Sequence, residues 1–356
     1  MLRDIVIDYV IKNYDRIIAK SKIFAGEELE IEDEIKNIPW EMFSHKTVTD
    51  KIVGGVDGSV NYIEYKGTMF TVANAEVIVL ADEGLLRVDA SGFADIIVPY
   101  WLPKERSKLY MEILEYKTAL KALKENKDIV VLFDGSLLHS MPRMPRRYFT
   151  YSTKDIRYIE ETFGERFREA EENVDVISRE IVMEMLERDG ENINHRILTI
   201  EIFELLSTLS LLLDPEFAGR ILWVAKNSTD NSVFHKTIAD IAILERYTIG
   251  PGFYTAGSSY LKGLEFFEIF DKIRRVPIFV YYARLDEKGP VLRVEAPYIS
   301  EKEIKEYLAL MSSISAGGYP YVLRVAHRDV IVRNNDVKAL AGMLGLDVLG
   351  KVRGYL

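Results

Sequence analysis

Two stretches of the sequence share one pattern, an apolar run that ends in Asp-Gly-Ser: IVGGVDGS at residues 52–59 and IVVLFDGS at residues 129–136. Short runs rich in valine and isoleucine are typical of buried β-strands. We therefore predict one strand over residues 52–57 and another over residues 129–133. Asp57 and Asp134 would then stand where the two strands end.

The segment between these runs predicts an antiparallel meander followed by a helix. Apolar and β-branched stretches separated by glycine turns predict strands over residues 62–66, 69–80 and 85–90. Residues 104–125 have apolar positions at helical spacing, which predicts a helix that also carries Glu112 and Glu115. A strand, a meander, a helix and a further strand follow one another in this order in the ribonuclease-H-like fold. We predict an α/β protein with a ribonuclease-H-like mixed sheet flanked by helices.

In a fold of this order, three acidic residues converge on one site. One ends the first strand, one lies on the first helix and one ends the fourth strand. Carboxylates suit Mg²⁺ and Mn²⁺, which are hard cations that prefer oxygen ligands. Two such ions about 4 Å apart can activate water and stabilise both the entering and the leaving oxygen of a phosphodiester. A lone Asp-Gly-Ser is usually a turn, but two copies with an acidic helix between them are more specific.

The helix offers two candidate acids, Glu112 and Glu115, which are three residues apart and share a side of the helix. Glu112 lies at the edge of the apolar stripe, and Glu115 points further from it. Helical periodicity alone therefore favours Glu112.

The remaining segments predict a single domain over residues 1–356, with a core formed by about 50–140 and 220–335. Residues 1–20 predict an N-terminal amphipathic helix, and residues 150–215 a helical insertion. The part of this insertion at residues 154–190 holds 12 acidic and 6 basic side chains, which is typical of a solvated helix. The other predicted elements are strands at 221–225, 278–285, 291–295 and 329–332, and helices at 231–247, 300–314, 335–344 and just before His327.

Composition narrows the class of protein. Apolar residues make up 48% of the 356 residues and charged residues 29%, with a net charge of −10, which excludes a disordered or fibrous chain. The absence of cysteine excludes disulfides and thiolate metal sites. The lack of both cysteine and glutamine resembles the composition of thermophile proteins. The longest apolar stretch is too short and too interrupted to span a membrane, so we expect a cytoplasmic protein.

With these residues assembled, the sequence resembles the NurA nuclease family over most of its length. The matching pieces are GVDGS around Asp57, EYKTA from Glu115, FDGSLL around Asp134, VAKNS around Lys226 and GYPYVLRVAH from residue 318 to His327. The last piece is the most specific, because its spacing of Tyr, Pro, Leu, Ala and His is not a general fold pattern.

The resemblance implies a catalytic set of five residues, namely Asp57, Glu115, Asp134, Tyr319 and His327. The metal ligands would be the three acids and His327, with Mn²⁺ or Mg²⁺ as the cofactor and two ions in the site. The family pattern thus favours Glu115 where periodicity favours Glu112, which stays the alternative. His327 would act as a metal ligand or as a proton carrier.

The resemblance also implies the activity and the partners. Members of the family are DNA-end nucleases that work with the HerA hexameric helicase in double-strand-break resection, and they are homodimers. We expect a 5′ to 3′ exonuclease that acts on single- and double-stranded DNA ends and has single-strand endonuclease activity. We expect no membrane partner. The exposed apolar positions of the terminal helices would supply the homodimer or helicase contact.

Basic and aromatic residues near the predicted acids are candidates for DNA contact. Lys226 ends a buried strand, where it would meet a phosphate oxygen. Arg143, Arg146, Arg147 and Tyr148 follow the second Asp-Gly-Ser, and such a segment could hold a strand by phosphate contacts and base stacking.

Two other functions remain open at this stage. An ATPase of the actin-like or sugar-kinase-like class shares the fold core, but the sequence has no second glycine-rich loop for adenosine. A thermal-shift assay with ATP would detect it. A non-catalytic subunit that binds DNA ends or a motor is the other alternative, and the complete acid set argues against it. A metal-dependent nuclease assay separates it from an enzyme.

Overall fold

The computed structural model describes residues 2–24, 35, 37–43, 51–81, 84–140, 153–189, 194–262, 264 and 270–346. The strands of the main sheet are β1 (Ile52–Tyr65), β2 (Thr68–Ala81), β3 (Gly84–Ile97), β4 (Ile129–Asp134), β5 (Ile221–Ala225), β6 (Gly252–Ser259), β7 (Ile278–Arg284) and β8 (Val291–Pro297). A short hairpin is formed by β9 (Ser315–Ala316) and β10 (Tyr319–Pro320).

The described helices surround this sheet. In chain order they are α1 (Leu2–Lys12), α2 (Tyr14–Phe24), α3 (Pro103–Glu125), α4 (Leu137–Ser140), α5 (Thr153–Asn173), α6 (Ser178–Asp189), α7 (Asn194–Leu212), α8 (Pro215–Ala218), α9 (Asp240–Tyr247), α10 (Asp271–Arg274), α11 (Glu301–Ser313), α12 (Tyr321–Val330) and α13 (Asn334–Met343). None of the helices in the described part of the chain is long and apolar enough to cross a lipid bilayer.

The eight strands form one mixed sheet in the order β3-β2-β1-β4-β5-β8-β7-β6. Strands β1, β2 and β3 pair as an antiparallel meander, whereas β1 pairs with β4, and β4 with β5, in parallel. A strand, an antiparallel meander, a helix and a further strand follow one another along the chain as predicted, so the predicted fold class is confirmed. Strands β6, β7 and β8 extend the same sheet through antiparallel pairs.

Helices cover the sheet on both faces, and the glycines of β1 let them come close. A Cβ atom at Gly55 would lie 2.7 Å from the backbone nitrogen of Leu323 in α12. A Cβ at the next glycine on the opposite face, Gly58, would meet the side chain of Met111 in α3 at 3.0 Å. Strand β1 is therefore held between α3 and α12, with little space on either side.

Helices α5, α6 and α7 follow β4 and precede β5, where the helical insertion is predicted. Two buried ion pairs join this unit to α3: Arg106 Nε lies 2.8 Å from Glu201 Oε1, and Lys117 Nζ lies 2.6 Å from Glu204 Oε1. All four side chains are at most 1% exposed, and a buried charge is tolerated only when it is paired in this way. The assignment of the whole chain to a single domain stays a prediction.

Three predicted elements differ from the structure, and one strand was not predicted. Strand β1 does not end at Asp57 but runs on to Tyr65, because β2 pairs with it along almost its whole length. The predicted strand at 329–332 is instead the end of α12 and a loop, since the apolar side chains of α12 recur at helical spacing and pack on the sheet. The helix predicted at 231–247 begins only at Asp240, and the edge strand β6 was not predicted.

The contact between Gly55 and α12 yields a stability prediction. Gly55→Ala should lower the free energy of unfolding by about 1–3 kcal/mol, because the added methyl group overlaps the backbone of Val322 and Leu323. Urea unfolding followed by circular dichroism measures this change.

The matched control is Gly219→Ala. An added Cβ there has no atom within 4 Å, and the backbone of Gly219 is already helical. This variant should be as stable as the wild type or slightly more so. Equal stability of the two variants would contradict the close packing at Gly55.

Candidate active site

Asp57 and Asp134 are brought together by the parallel pairing of β1 with β4. The last residue pair of that ladder is Val56 with Phe133, so the two aspartates occupy the next position on neighbouring strands. Beyond this point β4 ends, while β1 continues paired with β2. The sheet therefore fixes two carboxylates side by side where the parallel ladder stops.

Asp57 is held by groups from two elements. Its Oδ1 accepts a hydrogen bond from the backbone nitrogen of Gly58 at 2.9 Å, and its Oδ2 lies 2.7 Å from Nδ1 of His327 in α12. Burial raises the pKa of the Asp57 carboxyl, and the hydrogen bond from His327 partly opposes this rise. The His327 ring is 65% exposed, so its other nitrogen, Nε2, remains accessible to a ligand.

Glu115 reaches the same region from the opposite face of β1. A Cβ atom at Gly58 would lie 3.5 Å from Glu115 Oε2, so the missing side chain leaves room for this carboxylate. Burial raises the pKa of Glu115 well above its usual value, and the charges of Asp57, Glu112 and Asp134 raise it further. The structure thus brings together the three acids implied by the family pattern, with Glu112 nearby.

A cavity of about 440 Å³ opens beside these acids. Glu112, Glu115 and Asp134 line it together, and its apolar wall includes Phe133 stacked on Trp223 at a ring distance of 5.0 Å. Since both glutamates line the cavity, the geometry leaves Glu112 as an alternative ligand to Glu115.

Lys226 and Tyr319 form the other side of the Asp134 environment. The Nζ of Lys226 lies 3.1 Å from Asp134 Oδ2 and 4.0 Å from the centre of the Tyr319 ring. Burial and the neighbouring Asp134 raise the pKa of Tyr319. Its buried hydroxyl faces Asp134 but completes no well-formed hydrogen bond to any described residue, so it has a proton to donate to a ligand.

A glycine contact and one carboxylate hold the hairpin that carries Tyr319. Gly318 has a positive φ of 76°, and a Cβ there would lie 2.5 Å from the Cα of Gly289. Asp286 accepts hydrogen bonds from the Gly318 nitrogen at 2.6 Å and from Ser315 Oγ at 2.7 Å. The GGYP turn at 317–320 therefore needs glycine for its conformation and for its close approach to the β7–β8 turn.

The structure adds a polar network that the sequence analysis did not single out. His139 lines the acid cavity, and its Nδ1 lies 2.9 Å from Ser136 Oγ. Ser136 Oγ in turn donates to Glu295 Oε1 at 2.5 Å, and Arg293 Nε donates to the same oxygen at 2.8 Å. The only sequence signal for His139 is its position three residues after the second Asp-Gly-Ser. Glu295 has none, because it comes from a distant strand.

Other residues near this region have different roles. Asp240 is fully buried and accepts hydrogen bonds from the backbone nitrogens of Val233 and Phe234. Its carboxylate therefore shapes the loop before α9. The candidates for DNA contact at Arg143, Arg146, Arg147 and Tyr148 fall outside the described residues.

Asp57, Glu115 and Asp134 are the kind of ligand that hard cations prefer, although their side chains do not converge on one point. Among the described residues, no three His, Asp or Glu side chains already form a metal-binding group. Burial raises the pKa of Glu115, and the negative charges of Asp57, Glu112 and Asp134 raise it further, so negative charge is concentrated here. Oxygen donors with excess negative charge fit Mg²⁺ or Mn²⁺.

Comparisons with known proteins identify the family and the fold of this chain. Residues 51–332 match the protein family described as the NurA domain. A DNA double-strand break repair nuclease NurA from Sulfurisphaera tokodaii is 26% identical over 321 residues, which cover 89% of this chain and 87% of the relative.

Two solved structures share the fold. The NurA nuclease from Sulfolobus solfataricus superposes with a TM-score of 0.72 at 21% identity, with all of both chains covered. A NurA crystal structure bound to dAMP and manganese superposes with a TM-score of 0.68 at 16% identity, over 97% of this chain and 98% of the other.

The raised pKa of Glu115 yields a prediction for stability against pH. The folded chain retains the Glu115 proton at pH values where the unfolded chain, with a pKa near 4.5, has released it. The free energy of unfolding should therefore fall as the pH rises above about 4.5. Glu115→Gln removes this loss, so in EDTA the variant should exceed the wild type in stability at pH 8 and match it at pH 4.

Urea unfolding at the two pH values measures the difference. Glu125→Gln is the matched control, since Glu125 is exposed at the end of the same helix and its replacement should change stability by less than about 0.5 kcal/mol. A Glu115→Gln variant that is less stable than the wild type at pH 8 would show that the carboxylate is not under electrostatic strain.

Proposed function

The chain belongs to the NurA family of nucleases, and we propose that it hydrolyses DNA phosphodiester bonds with divalent metal ions held by Asp57, Glu115 and Asp134. The proposal rests on one observation above all. The parallel ladder of β1 and β4 sets Asp57 beside Asp134, and Gly58 leaves room for Glu115 to join them.

The cofactor we propose is Mn²⁺ or Mg²⁺, with two ions in the site. The related structure that contains dAMP and manganese supports this choice, as does the excess negative charge around Glu115. When bound, the ions would activate water and balance charge on the phosphate oxygens. The carboxylates of Asp57, Glu115 and Asp134 would hold them, and His327 is a candidate fourth ligand.

Lys226 and Tyr319 have the positions of phosphate-binding groups. The Lys226 ammonium is 45% exposed beside Asp134, so it can turn from that carboxylate to a phosphate oxygen. The Tyr319 hydroxyl, which is buried and completes no well-formed hydrogen bond in the described part of the chain, can donate to the same phosphate. Both groups would stabilise negative charge that develops as the phosphodiester is attacked.

His327 can act in either of two ways. With Asp57 ionised, that carboxylate only accepts hydrogen bonds, so Nδ1 of His327 donates to it and Nε2 faces a ligand. Neutral Nε2 is a metal ligand that suits Mn²⁺ better than Mg²⁺. A protonated Nε2 would instead give its proton to the leaving oxygen.

The biological setting we propose is the resection of DNA double-strand breaks. There the enzyme would act as a 5′ to 3′ exonuclease with single-strand endonuclease activity, together with a HerA-type hexameric helicase and as a homodimer. The apolar side chains of α1 support a docking role, since Ile5, Tyr9 and Ile11 are 63%, 54% and 67% exposed. Light scattering that reports a monomer at micromolar concentration would contradict the homodimer.

Removal of one acid charge tests the hydrolysis. Asp57→Asn and Asp134→Asn keep the side-chain volume but lose the charge that would hold the ions. Each should lower cleavage by more than about 100-fold, the upper limit for loss of an outer-shell partner. A plasmid and a 5′-labelled oligonucleotide are digested with Mn²⁺, Mg²⁺ or EDTA, and circular dichroism verifies the fold. Full activity in either variant refutes this site.

The same assay distinguishes the two glutamates of α3. If Glu115 is the ligand, Glu115→Gln should be inactive and Glu112→Gln should retain activity. The reverse result would assign the ligand to Glu112, as helical periodicity suggested.

A separate measurement distinguishes the two roles of His327. If it is a metal ligand, excess Mn²⁺ should partly restore the activity of His327→Ala. If it carries a proton, added metal should have no effect, and the pH–rate profile should lose one limb. Wild-type rates in this variant at every metal concentration and pH would reduce His327 to a structural residue.

A further inference from the structure

Three cavities lie in a row from the acids towards α10, and each is joined to the next by shared residues. The first is the acid cavity of about 440 Å³, and His139 lines both it and a second cavity of about 550 Å³. Tyr260 and Lys262 line both the second cavity and a third, of about 410 Å³. The volumes fall in the range of about 300–1,000 Å³ that is usual for ligand sites.

His139, at the first junction, is held in one orientation. Glu295 is fully buried and receives hydrogen bonds from Arg293 and from the backbone nitrogen of Leu138, so its carboxylate is an acceptor only. Ser136 must therefore donate its proton to Glu295, which leaves its oxygen to accept from Nδ1–H of His139. The Nε2 atom remains for a ligand that passes between the two cavities.

The second cavity combines aromatic rings with polar groups. The Tyr254 ring packs against the Phe234 ring, with 5.9 Å between the ring centres. Tyr260 is 50% exposed, and Lys262 is exposed beside it. The other charges of this cavity, Asp230 and Arg293, are paired with each other. Such a surface offers rings on which bases stack and a cation for a phosphate.

The third cavity is rich in positive charge although the whole chain carries a net charge of −10. Arg274 Nη1 and Arg275 Nη2 donate to the two oxygens of Asp271 at 2.7 and 2.8 Å. One carboxylate thus orients two guanidinium groups and neutralises only one of them. The Arg275 side chain is 79% exposed, and a guanidinium has more donors than Asp271 engages.

We propose that this row of cavities, from His139 through Tyr254, Tyr260 and Lys262 to Arg274 and Arg275, binds a single DNA strand beside the scissile phosphate. We name this row the strand track. His139 borders the strand where it leaves the acid cavity, the two tyrosines stack bases, and Lys262 and Arg275 bind the following phosphates. The inference rests on the proposed nuclease function and adds to it the path of the substrate strand along β6 and α10.

Binding of labelled oligonucleotides tests the track in EDTA, where no metal-dependent cleavage occurs. Fluorescence anisotropy gives the affinity for oligothymidylates of two, four, six and ten nucleotides at several salt concentrations. The wild-type affinity should rise with length until the track is filled. Lys262→Gln and Arg275→Gln should each weaken binding of the longest strand by roughly 5- to 10-fold and reduce the salt slope by about 0.7 for each phosphate that the variant no longer neutralises.

Tyr260→Ala should weaken binding roughly fivefold or more, as expected when one base loses its stacking partner, and should leave the salt slope unchanged. Lys124→Gln is the matched control for charge. Lys124 is an exposed lysine near the start of β4, at the opposite end of that strand from Asp134. This control should bind as the wild type does.

Unchanged affinity and salt slope in both charge variants overturn the track, as does an equal loss in Lys124→Gln. The outcome is separable from that of the hydrolysis assay. A chain that binds along the track but cleaves no DNA with any metal refutes the proposed function and retains a DNA-binding surface. A chain that cleaves DNA but shows no effect of the track variants refutes the track alone.

Discussion

The parallel hydrogen-bond ladder between β1 and β4 determines where the acids of this protein meet. The ladder aligns Val56 with Phe133, so the residue after each, an aspartate in both strands, arrives at the same level of the sheet. Because β4 ends there and β1 does not, one carboxylate sits at a strand end and the other in the middle of a strand. Because the backbone is paired, the two carboxylates are held next to each other, and the surrounding groups have to stabilise their negative charges.

Groups from neighbouring elements contact both aspartates. Lys226 follows β5 and contacts Asp134, while α12 supplies His327 to Asp57. The pKa of Glu115 is nevertheless raised strongly, first by its burial and then by the charges of Asp57, Glu112 and Asp134. A site of this kind is costly to the folded protein, because like charges are held together in a partly dehydrated place. Such strain is typical of functional sites.

The sequence predicted the central part of this arrangement because local patterns encode it. The two apolar runs before Asp-Gly-Ser define both strands that carry the aspartates, and the resemblance to the NurA family supplied Glu115, Tyr319 and His327. The end of β1 was misplaced because Asp-Gly-Ser usually marks a turn, whereas here pairing with β2 keeps the chain extended. The strand expected at 329–332 is wrong because Val330 is the last buried residue of α12, whereas Ile331 is 47% exposed in the loop that follows.

The contacts that no local pattern encodes were not predictable. Ser136 and Glu295 are 159 residues apart in sequence, and only the folded sheet shows that the Ser136 hydroxyl donates a hydrogen bond to the Glu295 carboxylate. The choice between Glu112 and Glu115 remains a prediction, because both glutamates line the same cavity. The space that Gly58 leaves for Glu115 comes from a different element, so helical periodicity alone could not show it.

The buried ion pairs between α3 and α7 affect how a truncation of the helical insertion can be interpreted. Helix α3 places Glu115 beside β1. The same helix contributes Arg106 and Lys117, which form buried ion pairs with glutamates of α7. Excision of the insertion would remove both carboxylate partners together with the apolar residues of α7 that cover α3, and the buried apolar face of α3 would then meet water. A shortened chain without cleavage would therefore report the collapse of α3, and it would say nothing about whether the missing segment touches DNA.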